Sequence, residues 1–178
     1  RTSRSGCQGS WGTDMMTPIQ TILYATDLSN TSNHAFRYAV GLARALDARL
    51  HVMHALEPMN EEARITLQMF MIDADQRNQA INRRMENTLA ALTERQEAFW
   101  AAMPEDERRD RTRVDNIEVV QGYAADAILK RAESLPADMI LMGSHAHGLT
   151  HSFLGTVAKR VLHRAKVPTL IVPYTEDH

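Results

Sequence analysis

Short apolar runs alternate with longer amphipathic segments along this chain, and that alternation is what most restricts the folds available to it. The apolar runs include TILYAT (Thr21–Thr26), RLHVMHAL (Arg49–Leu56) and DMILMG (138–143). Runs of this length are typical of strands that are buried on both faces of a sheet. The segments between them, such as HAFRYAVGLARALD, carry apolar residues at helical spacing. Strands that alternate with helices predict a mostly parallel sheet covered on both faces.

The full pattern predicts an α/β fold with a doubly wound, mostly parallel five-stranded sheet and helices on both faces. NIEVVQG (116–122) and TLIVPY (169–174) supply the remaining strands, and a chain of 178 residues corresponds to one domain. Helices are expected over HAFRYAVGLARALD, ADAILKRAESL and GTVAKRVLHRA. The residues predicted to face inward are Ala35, Phe36, Ala39, Val40, Leu42, Ala43 and Leu46 in the first helix, and Ile128, Leu129, Ala132 and Leu135 in the second.

The first 14 residues differ in character from the rest. They are rich in Gly, Ser, Arg and Thr and lack the apolar core of a signal peptide. We expect residues 1–14 to be a disordered extension or a cloning remnant, and residues 15–178 to form the domain, with the native start near Met15 or Met16. Because the one cysteine, Cys7, lies in the extension, the domain offers no internal disulfide, thiolate metal site or cysteine nucleophile. A cytoplasmic location is the expectation.

Residues 57–116 form an unusually long crossover between two predicted strands. Composition favours helix from residue 61 to about residue 100, as one long helix or two shorter ones, followed by a charged loop in PEDERRDRTR. The apolar residues that share one helical face are Ile81, Met85, Leu89, Leu92 and Phe99. The favoured interpretation is an amphipathic crossover packed on the sheet. The alternative is a protruding arm whose interaction surface contains Met69, Phe70, Met71 and Trp100.

Charge and motif content exclude several function classes. A net charge of −2 with scattered Lys and Arg argues against a nucleic-acid partner. No apolar run approaches the roughly 20 residues that span a bilayer, so no membrane partner is expected. The chain contains no Walker, Gly-x-Ser-x-Gly or Gly-x-Gly-x-x-Gly motif. We therefore expect no enzyme, although slow ATP hydrolysis or self-phosphorylation stays open.

Two loops at the expected ligand edge of the sheet carry residues suited to binding. Asp27 follows the first strand and can either cap the next turn or face a ligand as a carboxylate. Gly143 ends the fourth strand, and Gly155-Thr156 opens the following helix. That pair is either a plain turn and cap or an anion site, because a helix N-terminus presents unpaired N–H groups.

Histidines give weaker signals. His145, His147 and His151 lie in the loop between these glycines, and the last two have the spacing of a helical ligand pair. Because no acidic or cysteine ligand accompanies them, a loop role is favoured over a metal site. His51 and His54 are three residues apart on one strand and face opposite sides. We expect His54 to make a buried hydrogen bond near the strand's end.

Several of these segments together resemble the universal stress protein family, over essentially all of residues 16–174. The matching pieces are ILYATDLS, LHVMHALEP, VVQGYAADAIL and ADMILMGSHAHGLTHSFLGTVAKRVLHRAKVPTLIVP. The resemblance implies a homodimer formed through the last strand, Thr169 to Tyr174, and an unidentified protein partner. It also implies a stress-response module that binds ATP or AMP, with or without Mg²⁺.

The binding residues that the resemblance implies are carried over position by position. Gly143 and Gly155-Thr156 match the family's phosphate-holding glycine motif, and Ala146 stands in place of its middle glycine, with only eight residues, 147–154, before Gly155. A left-handed backbone at residue 146 would cost alanine about 1 kcal/mol and weaken binding roughly fivefold to tenfold. The alternative function is a protein-interaction dimer of the same fold that binds no nucleotide. The other implied contacts are Ala25, Asp27, Ala55, Met142 and Val157.

Overall fold

The predicted strands assemble into one parallel sheet in the computed structural model, which describes residues 17–70, 73–144 and 154–174. In these residues the sheet has five strands in the order β3-β2-β1-β4-β5, and every neighbouring pair is parallel. This confirms the predicted class, a single α/β domain. The strands are β1 Thr21–Thr26, β2 Arg49–Leu56, β3 Val114–Gln121, β4 Met139–Gly143 and β5 Thr169–Val172.

The register brings the carboxyl ends of the three central strands to the same level. Ala25 of β1 lies beside Met53 of β2 and Met142 of β4. Strand order reverses at β1, because the chain first adds β2 and β3 on one side and then β4 and β5 on the other. In doubly wound sheets this reversal opens a crevice at the carboxyl edge, where ligands bind.

Helices cover both faces of the sheet and enclose two apolar layers. Side chains of β1 alternate between them: Ile22 and Tyr24 pack in one layer, Leu23 and Ala25 in the other. The helices are α1 Ser32–Leu46, α2 Glu61–Phe70, α3 Ala74–Ala102, α4 Glu105–Arg108, α5 Ala124–Ser134 and α6 Thr156–Arg164. Helices α1 and α3 contribute to the first layer, and α5 and α6 to the second. Among the described residues, no helix is long and apolar enough to cross a membrane.

Helix α1 buries most of the stripe predicted for it, with one error at its end. Leu46 was predicted to face inward but is 42% exposed. The helix ends there because Asp47 adopts a left-handed conformation (φ 52°, ψ 39°). The Ala48 N–H then donates to the Ala43 carbonyl at 2.9 Å, so Ala48 takes the buried position in place of Leu46.

The first part of the crossover is helical as predicted, and it contains two helices, α2 and α3, that differ in environment. The C-terminal half of α3 packs on the sheet, where Phe99 and Trp100 contact Phe36 with ring centroids 4.6 and 5.9 Å apart. The favoured packed interpretation therefore holds for this half, and Trp100 is not a surface residue. In α2, Met69 and Phe70 are 74% and 83% exposed. The structure does not describe Met71.

The predicted charged loop in PEDERRDRTR is wrong. This segment forms α4 and a 3₁₀ helix, Arg109–Arg113. Pro104 caps α4, and acidic residues in its first turn suit the positive end of the helix dipole. Asp110 is buried and paired with Arg44 of α1 and Arg113, which ties the segment to the body of the domain.

Candidate functional site

A cleft of about 410 Å³ opens at the carboxyl ends of β1, β2 and β4. Its floor is formed by the strand ends, and its walls come from the helices that follow β1, β3 and β4. The small side chains of Ala35, Ala124 and Ala158 on α1, α5 and α6 line those walls. Small wall residues leave room between the helices, and a cavity of this volume is in the range that holds a cofactor-sized ligand.

Most of the site residues predicted from the sequence meet at this cleft. The predicted residues that line it are Ala25, Asp27, Ala55, Met142, Gly143 and Val157. Gly155 and Thr156 directly precede Val157 at the start of α6. Ala146 lies outside the described residues. The structure therefore brings together residues from four segments of the chain, and their binding roles stay predictions.

Asp27 begins a tight loop between β1 and α1 and also lines the cleft. Its Oδ1 accepts a hydrogen bond from the Ser29 N–H at 2.9 Å, so the predicted capping turn is present. Leu28 has φ 60°, a conformation that is strained for a leucine, and its N–H donates to Thr26 Oγ1 at 3.2 Å. Because the exposed carboxylate stays at the cleft wall, the turn role and the ligand role are compatible.

The N-terminus of α6 lies at the other end of the site. Gly155 is the N-cap residue (φ −60°, ψ 158°), and no side chain in the described part of the chain caps the helix. The Gly155 N–H, which the sequence assigned to a phosphate, donates instead to the Ser144 carbonyl at 3.1 Å. The first-turn N–H groups of Thr156, Val157 and Ala158 have no carbonyl four residues back within the helix, so they can receive an anion.

His54 also lines the cleft, although the sequence alone predicted only that it would make a hydrogen bond near the end of its strand. Its Nδ1 lies 2.8 Å from the Thr26 carbonyl oxygen, which confirms the expected hydrogen bond. A carbonyl can only accept, so Nδ1 carries the proton and Nε2 is an acceptor in the neutral ring. His51 is buried elsewhere, with Nε2 3.2 Å from Asp115, and its burial lowers its pKa despite that carboxylate.

Tyr24 stiffens the cleft wall from within. Its hydroxyl donates to the Ser32 carbonyl at 2.8 Å, at the start of α1. Burial raises the pKa of Tyr24 well above its usual range, so the hydroxyl stays protonated at neutral pH. This bond fixes the first turn of α1 against β1 and holds the shape of the loop that carries Asp27.

Two arginines of α3 reach both loops that border the cleft. Arg84 Nη1 donates to the Glu57 carbonyl at 2.9 Å, just after β2, and Arg84 lines the cleft. Arg95 Nη1 donates to the Ser29 carbonyl at 2.7 Å. Sequence reasoning missed both residues, because no local pattern reveals where a long crossover helix passes over the sheet. The cluster of turn residues in DLSNTS was the signal that this loop needed external partners.

In the described part of the chain, no group of three or more His, Cys, Asp or Glu side chains is arranged to hold a metal ion. His145, His147 and His151, the histidines of the metal hypothesis, lie outside the described residues. That hypothesis therefore stays untested.

Comparisons with known proteins agree with this architecture. The model of the universal stress protein family matches residues 18–173. A universal stress protein of Thermus aquaticus is 32% identical over 155 residues, which cover 86% of this chain and 98% of that protein. A second, of Methanocaldococcus jannaschii, is 27% identical over 159 residues, covering 85% and 80% of the two chains. A universal stress protein solved in complex with cAMP superposes with a TM-score of 0.55 at 24% identity, covering 89% of this chain and all of that one.

Proposed function

This chain belongs to the universal stress protein family, and from that premise we propose that its cleft binds an adenine nucleotide, ATP or AMP. Asp27 and Ala55 hold the nucleoside, and the first turn of α6 holds the phosphates. When the ligand is a triphosphate, Mg²⁺ accompanies it. The module is regulatory: it acts in the cytoplasm as a homodimer, and the bound nucleotide alters how it meets a protein partner.

The observation that carries the proposal is the pairing of opposite polarities across one cleft. The Asp27 carboxylate lies at one wall, where it can accept from a nucleobase amine. The first turn of α6, which no described side chain caps, stands at the other, where the helix dipole favours negative charge. A nucleotide has donors at one end and anionic phosphates at the other, so it complements both walls.

Relatives support the same class of ligand. The universal stress protein in complex with cAMP has this fold, so the fold accommodates an adenine nucleotide in at least one other protein.

Binding without turnover is the expected mode. Asp27 is held by the Ser29 N–H, and His54 by the Thr26 carbonyl, so both groups serve the loop structure. Both residues lie on the β1–β2 side of the cleft, whereas α6 follows β4. Slow hydrolysis is tested directly by incubating purified protein with ATP and measuring released phosphate.

A charge placed at the α6 N-terminus tests the proposal. We expect Gly155→Asp to abolish AMP and ATP binding in calorimetry, because its side chain puts a negative charge where the phosphate would sit. Gly155→Asn is the matched control, since asparagine caps equally well without charge and should retain measurable binding. Thermal unfolding of both variants shows whether each is folded. If a folded Gly155→Asp variant bound ATP with unchanged affinity, the first turn of α6 would not be the phosphate site.

The second candidate is a protein-interaction dimer that binds no nucleotide. The observation that favours it is the exposure of Met69 and Phe70 at the end of α2, a surface suited to a partner. One titration distinguishes the two candidate functions. Saturable AMP or ATP binding supports the nucleotide-binding module, and no binding to folded wild-type protein supports the interaction dimer.

A further inference from the structure

A second cavity, of about 680 Å³, adjoins the nucleotide cleft along the flank of α3. We call it the α3 groove. It begins at Leu28, the residue that follows Asp27 of the cleft wall, and Arg84 lines both cavities. The two cavities are therefore neighbours, with Arg84 at their junction.

The lining of the α3 groove combines three apolar residues, Leu28, Ala80 and Ala91, with several side-chain donors suited to an anion. Two guanidinium groups, those of Arg83 and Arg84, stand among the amides of Gln76, Gln79 and Asn87. No carboxylate belongs to the described lining, and neither arginine forms an ion pair with any residue the structure describes. The groove therefore carries local positive charge on a chain whose net charge is −2. Planar guanidinium groups recognise phosphate oxygens in pairs, which makes phosphate the best-matched group.

The α3 groove lies away from the phosphate site proposed at α6. Helix α3 contacts β2 and β3, whereas α6 packs beside β5 and α5 on the far side of β1. One nucleotide phosphate chain that starts at α6 cannot also reach the groove while the nucleoside occupies the cleft between them. Any phosphate in the groove has to be attached at a different point of the nucleoside, on the side that faces Leu28 and Arg84.

We propose that the α3 groove is a second anion subsite, and that the preferred ligand is an adenosine nucleotide with an additional phosphate on its 2′ or 3′ hydroxyl. This inference rests on the proposed function, because the nucleoside must sit in the cleft. Arg84 provides a donor at the junction of the two cavities, and Arg83 provides a second charge in the groove alone.

Calorimetry with three probes tests the subsite: AMP, adenosine 3′,5′-bisphosphate and adenosine 2′,5′-bisphosphate, at about 150 mM salt so that long-range attraction is screened. We expect one bisphosphate to bind about tenfold more tightly than AMP, which is the gain from one charge-assisted phosphate contact. The comparison of the two bisphosphates identifies which hydroxyl faces the groove.

Arg83→Gln is the diagnostic variant, because Arg83 lines the groove and not the cleft. It should remove most of the bisphosphate advantage and leave AMP affinity unchanged. Arg49→Gln is the matched control: it removes the same charge from an exposed position at the first residue of β2, on the opposite edge of the sheet.

Each outcome is decisive. If AMP binds but neither bisphosphate binds better, the second subsite is wrong and the proposed function stands. An advantage lost equally in Arg49→Gln would mean general charge attraction, which also overturns the subsite. If wild-type protein binds none of the three probes, the proposed function fails and this inference fails with it.

Discussion

At the residue scale, three polar side chains of the cleft form hydrogen bonds with backbone groups nearby. Asp27 accepts from Ser29, and His54 lies within hydrogen-bond distance of the Thr26 carbonyl. Tyr24 donates to Ser32. Each bond satisfies a backbone group at the end of β1, at the start of α1 or in the loop between them, where an unmet buried donor or acceptor costs about 1–3 kcal/mol. A single substitution here therefore changes both loop geometry and ligand contact, and a test must separate the two.

Asp27→Asn and Asp27→Ala separate these contributions. Asparagine keeps an oxygen for the Ser29 N–H and loses the charge, so we expect little change in stability and about fivefold to tenfold weaker AMP binding. Alanine loses both and should also lower the melting temperature. Calorimetry and thermal unfolding measure the two effects. Full affinity in the asparagine variant would show that the carboxylate serves only the turn.

At the element scale, the crossover shows how one helical region can perform two tasks. The last turns of α3 are buried against Phe36, and Arg95 on the same helix holds the Ser29 carbonyl. Helix α2 leaves Met69 and Phe70 exposed. The sequence is helical in character in both α2 and α3, but only the C-terminal half of α3 reaches the sheet and buries its apolar side chains. Packing, and not propensity, provides most of a helix's stability.

Substitutions in the two parts should differ sharply. We expect Trp100→Ala to destabilise the fold by about 3–5 kcal/mol, because a large side chain leaves a cavity in the core. Phe70→Ser should change stability by no more than about 0.5 kcal/mol, as for most exposed positions. Urea unfolding measures both. A large loss of stability in Phe70→Ser would mean that α2 packs against something in solution, such as a second copy of the chain.

At the scale of the whole molecule, two features connect distant parts of the chain. Asp110 joins the 3₁₀ helix to α1 through Arg44 and to Arg113, which also reaches Asp47 at 2.8 Å. Strand β5 is the last strand of the sheet, and its far edge is not paired with any described residue. The first feature closes the crossover onto the domain. The second leaves an apolar strand edge, which can pair with other chains and aggregate unless it is covered.

The Asp110 network predicts a pH dependence of stability. Burial alone would raise the pKa of Asp110, but hydrogen bonds from Arg44 and Arg113 outweigh it and lower the pKa below the usual value. The folded state thus binds fewer protons than the unfolded state in mild acid. The stabilisation is fully present above the unfolded pKa of about 3.9 and is lost as pH falls through the lower folded value.

Urea unfolding of wild type and Asp110→Asn at a series of pH values checks this. The variant should be less stable at pH 7, and the difference between the two proteins should shrink as pH is lowered below about 4. A difference that stays constant over that range would contradict a charge-based role for Asp110.

The exposed edge of β5 predicts how copies associate in the proposed homodimer. The Pro168 and Val172 carbonyls accept from Ile140 and Ser144 of the β4 side, each at 2.9 Å, so by alternation the Ile171 backbone faces outward. We expect Ile171→Pro to weaken dimerisation at least about tenfold, because it removes an outward N–H while sparing the β4 ladder. Ile171→Val is the control. Light scattering measures the mass, and a stable dimer of the proline variant would exclude pairing through this edge.

The sequence by itself determined the sheet, its helices and the segments that meet at the cleft. The reason is physical: buried strands and amphipathic helices have distinct apolar periods, and parallel strands must end at a common edge, so Asp27, Ala55 and Gly143 had to lie near one another. Tertiary structure alone decided which donors are available at α6, where the Gly155 N–H is taken by Ser144. It alone placed Arg84 and the α3 groove beside the cleft, because the path of a long crossover depends on contacts between residues far apart in the chain.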